Sequence, residues 1–285
     1  MVNYESSRMY NKAITMKIFL LIIFTIASST ADKRCRGIYF GDKYYNLHLI
    51  KEGINKIDNL ILNRNDDILY FTFEDLTTTP NRLVGYINMD TKETKVIDGI
   101  NNATSIAIDQ RLNKVFIGSQ NGLYKINDMK QVERLPIQDN IVNLHFKDVL
   151  YFININGDTF IFEDGFGAIV QELQGVKVEE LIIDNDNNMF FVRNNTLFRI
   201  KLGTKAINIH EKIYVDVIST DIHTKAYICS KTGVFVYNKY KFALDKVSDM
   251  NFLKGLTFNK ANEPIYAAKD LIIKLSENPI PCFED

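Results

Sequence analysis

Tryptophan is absent from the 285 residues, cysteine occurs only three times, and neither sign of charge prevails, the formal balance being -1. An even charge removes the electrostatic footprint that a nucleic acid or an anionic membrane partner requires. Low-complexity tracts and charged tails are missing too. HExxH, CxxC, GxxxxGK and GxSxG do not occur, so no spacing matches a zinc site, a phosphate loop or a nucleophile elbow. That excludes little alone, because a site can be assembled from residues far apart in the sequence. The four histidines, His48, His145, His210 and His223, share no register and are expected in strands or turns, not as general bases. Beyond the N-terminus no apolar run approaches the roughly 20 residues that cross a bilayer.

What is present begins with Met16-Lys17, followed by IFLLIIFTIA and the small residues of SSTA. A basic start, a short apolar core and small residues at Ser29 and Ala31 read as a secretory signal peptide over residues 1–31, with Met16 an alternative initiator. Cleavage after Ala31 removes Arg8, Lys12, Lys17 and Glu5 and leaves residues 32–285, mildly acidic, as one secreted domain. Two sequons suit that compartment, at Asn102 and Asn194.

The stretch ELIIDNDNNMFFV, Glu180 to Val192, holds two apolar triplets around a run of Asp and Asn. Neither one strand nor a helix tolerates that centre, whereas two short strands and a tight turn do. The pattern recurs at LILNRNDDILYF, SIAIDQRLNKVFIG, LHFKDVLYFI, VISTDIHTKAYIC and LTFNKANEPIYAA. Taking Leu60, Ile106, Leu144, Leu181, Val217 and Leu256 as equivalent gives spacings of 46, 38, 37, 36 and 39. A third strand follows each hairpin (LVGYI, GLYKI, GDTFIF, NTLFRI, GVFVY, LIIKL), with GSQNG from Gly118 to Gly122 the turn before one of them. A more polar fourth strand follows most. Four antiparallel strands in units of about 40 residues describe the blade of a β-propeller, here an all-β, six-bladed one.

The sixth repeat supplies only three strands, and YYNLHLI, Tyr44 to Ile50, has no blade of its own. It is expected to be the outer strand of the sixth blade, closing the ring. Cys35 and Cys282 then fall at one corner, and in an oxidising compartment a disulfide between them is expected. Cys229, on a second strand, is expected to be a buried, inert thiol.

Propellers bind where the innermost strands enter the central channel. The residues there are expected to be Asn59, Ser105, Asn143, Glu180, Asp216 and Gly255, with Lys254 beside them, either watered turn residues or hydrogen-bonding groups backed by aromatics. Asn143, Glu180 and Asp216 offer oxygen ligands that suit Ca²⁺. Such a site would resemble the gluconolactonase and regucalcin class of hydrolases, although KEGINKIDNL, with Glu52, lacks a clear match to that class's N-terminal metal-binding stretch.

Assembled, the signal segment, CRGIYFGDKYYNLHLIKEGI and LILNRNDDILYFTFE resemble the ommochrome-binding proteins of moths and butterflies. The similarity is strongest before about Glu74 and carries no contact residues over. It implies a protein of the haemolymph that carries a planar, tryptophan-derived pigment without catalysis or cofactor, here expected to be a monomer. Lys254 is the candidate partner for the pigment's acid groups, while Glu179, Glu180 and Asp216 would oppose them. A Ca²⁺-dependent lactonase-like hydrolase is the alternative, and a protein-binding propeller a third.

Overall fold

The structure is a computed structural model and describes residues 37–77, 81–127 and 129–280. The signal segment, Cys35 and Cys282 lie outside them. The chain opens with β1 (Gly37–Phe40) and β2 (Lys43–Lys51). Blade 1 follows as β3 (Asp58–Asn63), β4 (Ile68–Asp75), β5 (Asn81–Asn88) and β6 (Thr94–Ile97). Blade 2 is β7 (Ala103–Asp109), β8 (Lys114–Ser119), β9 (Gly122–Ile126) and β10 (Val132–Arg134). Blade 3 is β11 (Ile141–Lys147), β12 (Val149–Asn154), β13 (Thr159–Glu163) and β14 (Phe166–Ile169).

Next come β15 (Glu180–Ile183), β16 (Asn188–Arg193), β17 (Thr196–Lys201), β18 (Asn208–Thr220), β19 (Ala226–Ser230), β20 (Gly233–Asn238) and β21 (Ala243–Ser248), joined in one seven-stranded sheet. The sharing has a local cause. The first part of β18 pairs with β17 and the last part with β19, so one strand is the outer edge of blade 4 and the inner edge of blade 5. Blade 6 is β22 (Leu253–Phe258), β23 (Pro264–Ala268) and β24 (Leu271–Glu277). Its fourth strand is β2, with Leu47 opposite Leu275 and Tyr45 opposite Glu277, as the count of strands requires.

One addition was not foreseen. β1 folds back on β2 as a fifth strand and leans on blade 5, where the Gly41 N–H donates to the Val247 carbonyl at 2.7 Å and Phe40 stacks on Tyr227.

Among the described residues six apolar clusters, one at each interface between neighbouring blades, make up the core. Ile68, Tyr70, Ile106 and Ile117 lie between blades 1 and 2, for example, and Leu60, Leu62, Ile265 and Ile272 between blades 6 and 1. Each sheet is therefore apolar on both faces through its first two strands. Most of the Phe and Tyr that the composition supplies are used there: Tyr70, Phe71, Phe152, Phe190, Phe191 and Phe258 are all fully buried.

The Asp and Asn residues of the hairpins have a shared job. Asp184 Oδ1 accepts the N–H groups of Asp186 and Asn188, and its Oδ2 accepts the Asn188 side-chain amide. Asp109, Asp221 and Asn259 cap their turns in the same way. Such side chains mimic a backbone turn, which is why the apolar triplets flank a polar run. This landmark corrects one equivalence. Asp184 lies three residues after Leu181, and Asp221 lies three after Ile218, so Ile218, not Val217, is the fifth counterpart. Pairing agrees: Leu181 faces Phe191 and Ile218 faces Ile228, while Asp216 is the extra residue of a bulge between Val215 and Val217.

Candidate functional site

The six inner strands β3, β7, β11, β15, β18 and β22 surround a channel of about 440 Å³ that every blade lines. Each is an edge strand, so alternate backbone N–H groups face inward without a ladder partner and need an acceptor. Side chains of the preceding blade supply several. Ser105 Oγ accepts the Leu144 N–H at 2.9 Å, Asn143 Oδ1 that of Leu181 at 3.3 Å, and both Glu180 oxygens that of Ile218 at 3.3 Å. One layer further in, His145 Nε2 accepts the Ile183 N–H at 3.1 Å and Thr257 Oγ1 that of Leu62 at 3.1 Å. Ser219 donates to the Leu256 carbonyl at 2.6 Å. At Gly255, between blades 6 and 1, the contact leaves no room for a side chain, since a Cβ there would meet Leu60 Cβ at 2.5 Å.

The expected mouth residues therefore divide. Asn59, Asn143, Glu180, Lys254 and Gly255 line the channel; Ser105 and Asp216 do not. Ser105 is buried between blades, its hydroxyl committed to Leu144. Asp216, the extra residue of the bulge in β18, is not among the lining residues, and Val217 lines the channel instead. Burial pushes the Asp216 carboxyl up against the pull of Lys231 and Lys254, and its Oδ2 is buried without a hydrogen-bond partner among the described residues. Asn143 and Glu180 are thus together in the channel, with Asp216 outside it. Among the described residues, no three His, Cys, Asp or Glu side chains cluster as a metal site.

Glu180 is the most perturbed acid of the channel. Burial lifts its carboxyl to about 8, with the Ile218 N–H opposing and the Asp58 carboxylate adding, so it is mainly the neutral acid at pH 7. No cation among the described residues lies within ion-pair distance of it. His145 is driven the other way, to about 4, by burial and the nearby Lys147 charge. Because Nε2 accepts from Ile183, its proton belongs on Nδ1. The channel centre thus presents two neutral groups with hydrogens to donate.

Both ends carry cations. Beside one mouth lies a groove of about 530 Å³ that shares Asp58 and Lys254 with the channel and adds Lys56, Arg82, Lys269 and Asp270. Lys56 is held by Glu74 at 2.7 Å and Arg82 by Asp58 at 3.5 Å, whereas no described carboxylate pairs with Lys254 or Lys269. The other mouth carries Arg64, Arg111 and Lys147 together with the carboxylates of Asp109, Asp148 and Asp221. Sequence reasoning missed Arg64, His145, Phe146 and Lys147, which lie past the aligned positions; the alternation of β11 was the available signal. Aromatic backing is sparse. Phe146 is the only Phe or Tyr among the lining residues, and its ring stacks on Phe116 at 6.1 Å.

No protein-family model matches the chain. Over 270 residues it is 22% identical to the ommochrome-binding protein of Manduca sexta, covering 91% of this chain and 98% of that one, so the family resemblance read from the residues stands. Among solved structures, a gluconolactonase from Xanthomonas campestris superposes with a TM-score of 0.61 at 12% identity, over 86% of this chain and 96% of that one. An auxiliary nutrient binding protein from Bacteroides thetaiotaomicron does so with a TM-score of 0.61 at 11% identity, over 85% and 76%. At those identities the two superpositions speak for the propeller fold alone.

Proposed function

We propose that the protein is a secreted carrier of a small, planar, acidic aromatic pigment of the ommochrome type, held in the central channel without turnover. The observation that carries this is the match to the Manduca sexta ommochrome-binding protein along nearly the whole of both chains. The channel supports it. A volume of about 440 Å³ suits a small organic ligand. Neutral donors at Glu180 and His145, the Asn143 amide and the mouth lysine Lys254 suit a molecule carrying carbonyl, phenol and acid groups. With Glu180 neutral, the carboxyl group that would most directly repel such a ligand is removed.

The expected haemolymph location belongs to this reading, as does the expected signal peptide; among the described residues no helix is long and apolar enough to cross a membrane. Asn194, exposed in the tight turn between β16 and β17, is the more accessible of the two sequons.

A hydrolase of the gluconolactonase type is the second reading, favoured by the shared propeller and by Asn143 and Glu180 meeting in the channel. Asp216, the third oxygen ligand expected beside them, does not line the channel. Absorbance of protein purified from its native fluid separates the two. Co-purifying visible colour that is released on unfolding supports the carrier. Colourless protein that does not shift the spectrum of added ommochrome, but hydrolyses a lactone in a chelator-sensitive manner, overturns it.

A further inference from the structure

Resting on the reading of the channel as the ligand site, we propose that Arg64 seats a carboxylate of the ligand, at the mouth opposite Lys254. Arg64 follows Asn63 in the hairpin turn of blade 1, and that turn is pinned to blade 2. The Arg64 N–H donates to Gln110 Oε1 at 3.0 Å, and Gln110 Nε2 donates to the Leu62 carbonyl at 2.8 Å. From this fixed base the side chain enters the channel, where burial lowers the tendency of the guanidinium to hold its charge. The acid it feels is Asp221 of blade 5. Both Asp221 oxygens are already occupied, Oδ1 by the N–H groups of His223 and Lys225 and Oδ2 by the Asn262 amide.

No described side chain or carbonyl accepts a hydrogen bond from the Arg64 guanidinium, and no described carboxylate forms an ion pair with it. The contrast with its neighbour is plain: Lys147, on the same mouth, donates to the Asp184 carbonyl and to Asn187 Oδ1 at 2.8 Å. A partly desolvated guanidinium with an empty fork fits a bidentate carboxylate better than water does.

The surroundings define the rest of the ligand. His145 and Phe146 of β11 face the same half of the channel. An acid on Arg64 places an attached ring beside Phe146 and a ring carbonyl or phenol within reach of the neutral His145 donor. Asp58, which lies at the mouth with Lys254, and Arg64 are six residues apart, about 20 Å of extended chain, so Arg64 and Lys254 mark opposite ends of the channel. The ligand class is accordingly a planar aromatic carboxylate bound acid-end first.

Calorimetric titration of the intact protein with quinoline-2-carboxylate and with its methyl ester tests this. Wild type is expected to bind the acid at least about tenfold tighter than the ester, and Arg64→Gln to lower acid affinity about 10- to 100-fold while leaving the ester unchanged. Arg64→Lys keeps part of the preference. Equal binding of acid and ester by wild type, or an Arg64→Gln protein that loses both alike or neither, overturns the proposal. Titration with an ommochrome pigment separates this failure from that of the carrier reading. If the pigment binds and Phe146→Ala weakens it while Arg64→Gln does not, the channel stands and Arg64 falls. If the pigment does not bind wild type, both fall.

Discussion

Glu180 and His145 are the two residues whose protonation the fold changes most clearly within the channel, and their effects on stability run in opposite senses. The Glu180 carboxyl ordinarily titrates at 4.5 and here near 8. Between those values the unfolded chain has released a proton that the native chain still holds, so this group's contribution falls as pH rises through the window. His145 ordinarily titrates at 6.5 and here near 4. Between these the unfolded chain takes up a proton that the native chain refuses, so its contribution is lost as pH falls. From 4.5 to 6.5 the two offset each other; from 6.5 to 8 only the Glu180 loss remains. Glu180→Gln removes one side of this balance. Urea unfolding is expected to find the variant gaining on wild type as pH rises from 5 to 8, by on the order of 2 kcal/mol once screening by channel water is allowed for. A difference that does not vary with pH would show Glu180 charged throughout.

At the scale of elements, each inner strand is held by its own turn and by a side chain from the blade before. Ser105→Ala leaves the buried Leu144 N–H without an acceptor and is expected to cost about 1–3 kcal/mol. Asp184→Ala removes three hydrogen bonds from one turn and should cost about 2–3 kcal/mol. Equilibrium denaturation of both proteins checks these values, with exposed Asp249 as the control position. Much of this was legible in the chain, because a hairpin with a polar centre repeated near every 38 residues specifies blades whatever its sequence identity. The slip at Val217 arose because Val217-Ile218 offers two apolar residues where one is equivalent. Only the Asp three positions on decides between them. The use of Ser105, Asn143 and Glu180 as acceptors for a neighbouring blade was hidden for a different reason. A polar residue at a channel entrance has the same letter whether its hydrogen bond goes to a ligand or to a backbone 38 residues away.

At the scale of the molecule, the ring is closed by β2 on β24. In register, Gly37 stands opposite Asn46 and Asn46 opposite Ser276, so both described ends of the chain leave from one corner two strands apart, about 10 Å. That placement suits the disulfide expected between Cys35 and Cys282. Non-reducing peptide mapping should recover those two linked and Cys229 as a thiol. Cys229 is fully buried among apolar side chains, and burial raises its ionisation beyond the usual thiol range, so alkylation should require unfolding. Loss of the link through Cys282→Ser should lower stability by up to about 4–5 kcal/mol, since the loop it closes is most of the chain. Unchanged stability after reduction would mean that strand pairing alone secures the ring.

The fifth strand, β1, bears on how copies of the protein behave when crowded. A sheet completed by the opposite terminus can be completed equally well by a neighbour's terminus, and a molecule that lends its first strands in this way leaves its own sixth sheet open to the next. Strand lending of that kind grows into chains. Here the lender would also have to peel Gly41 and Phe40 off blade 5 and out of an aromatic stack, so the fold guards against polymerisation at the seam where a propeller is most exposed to it.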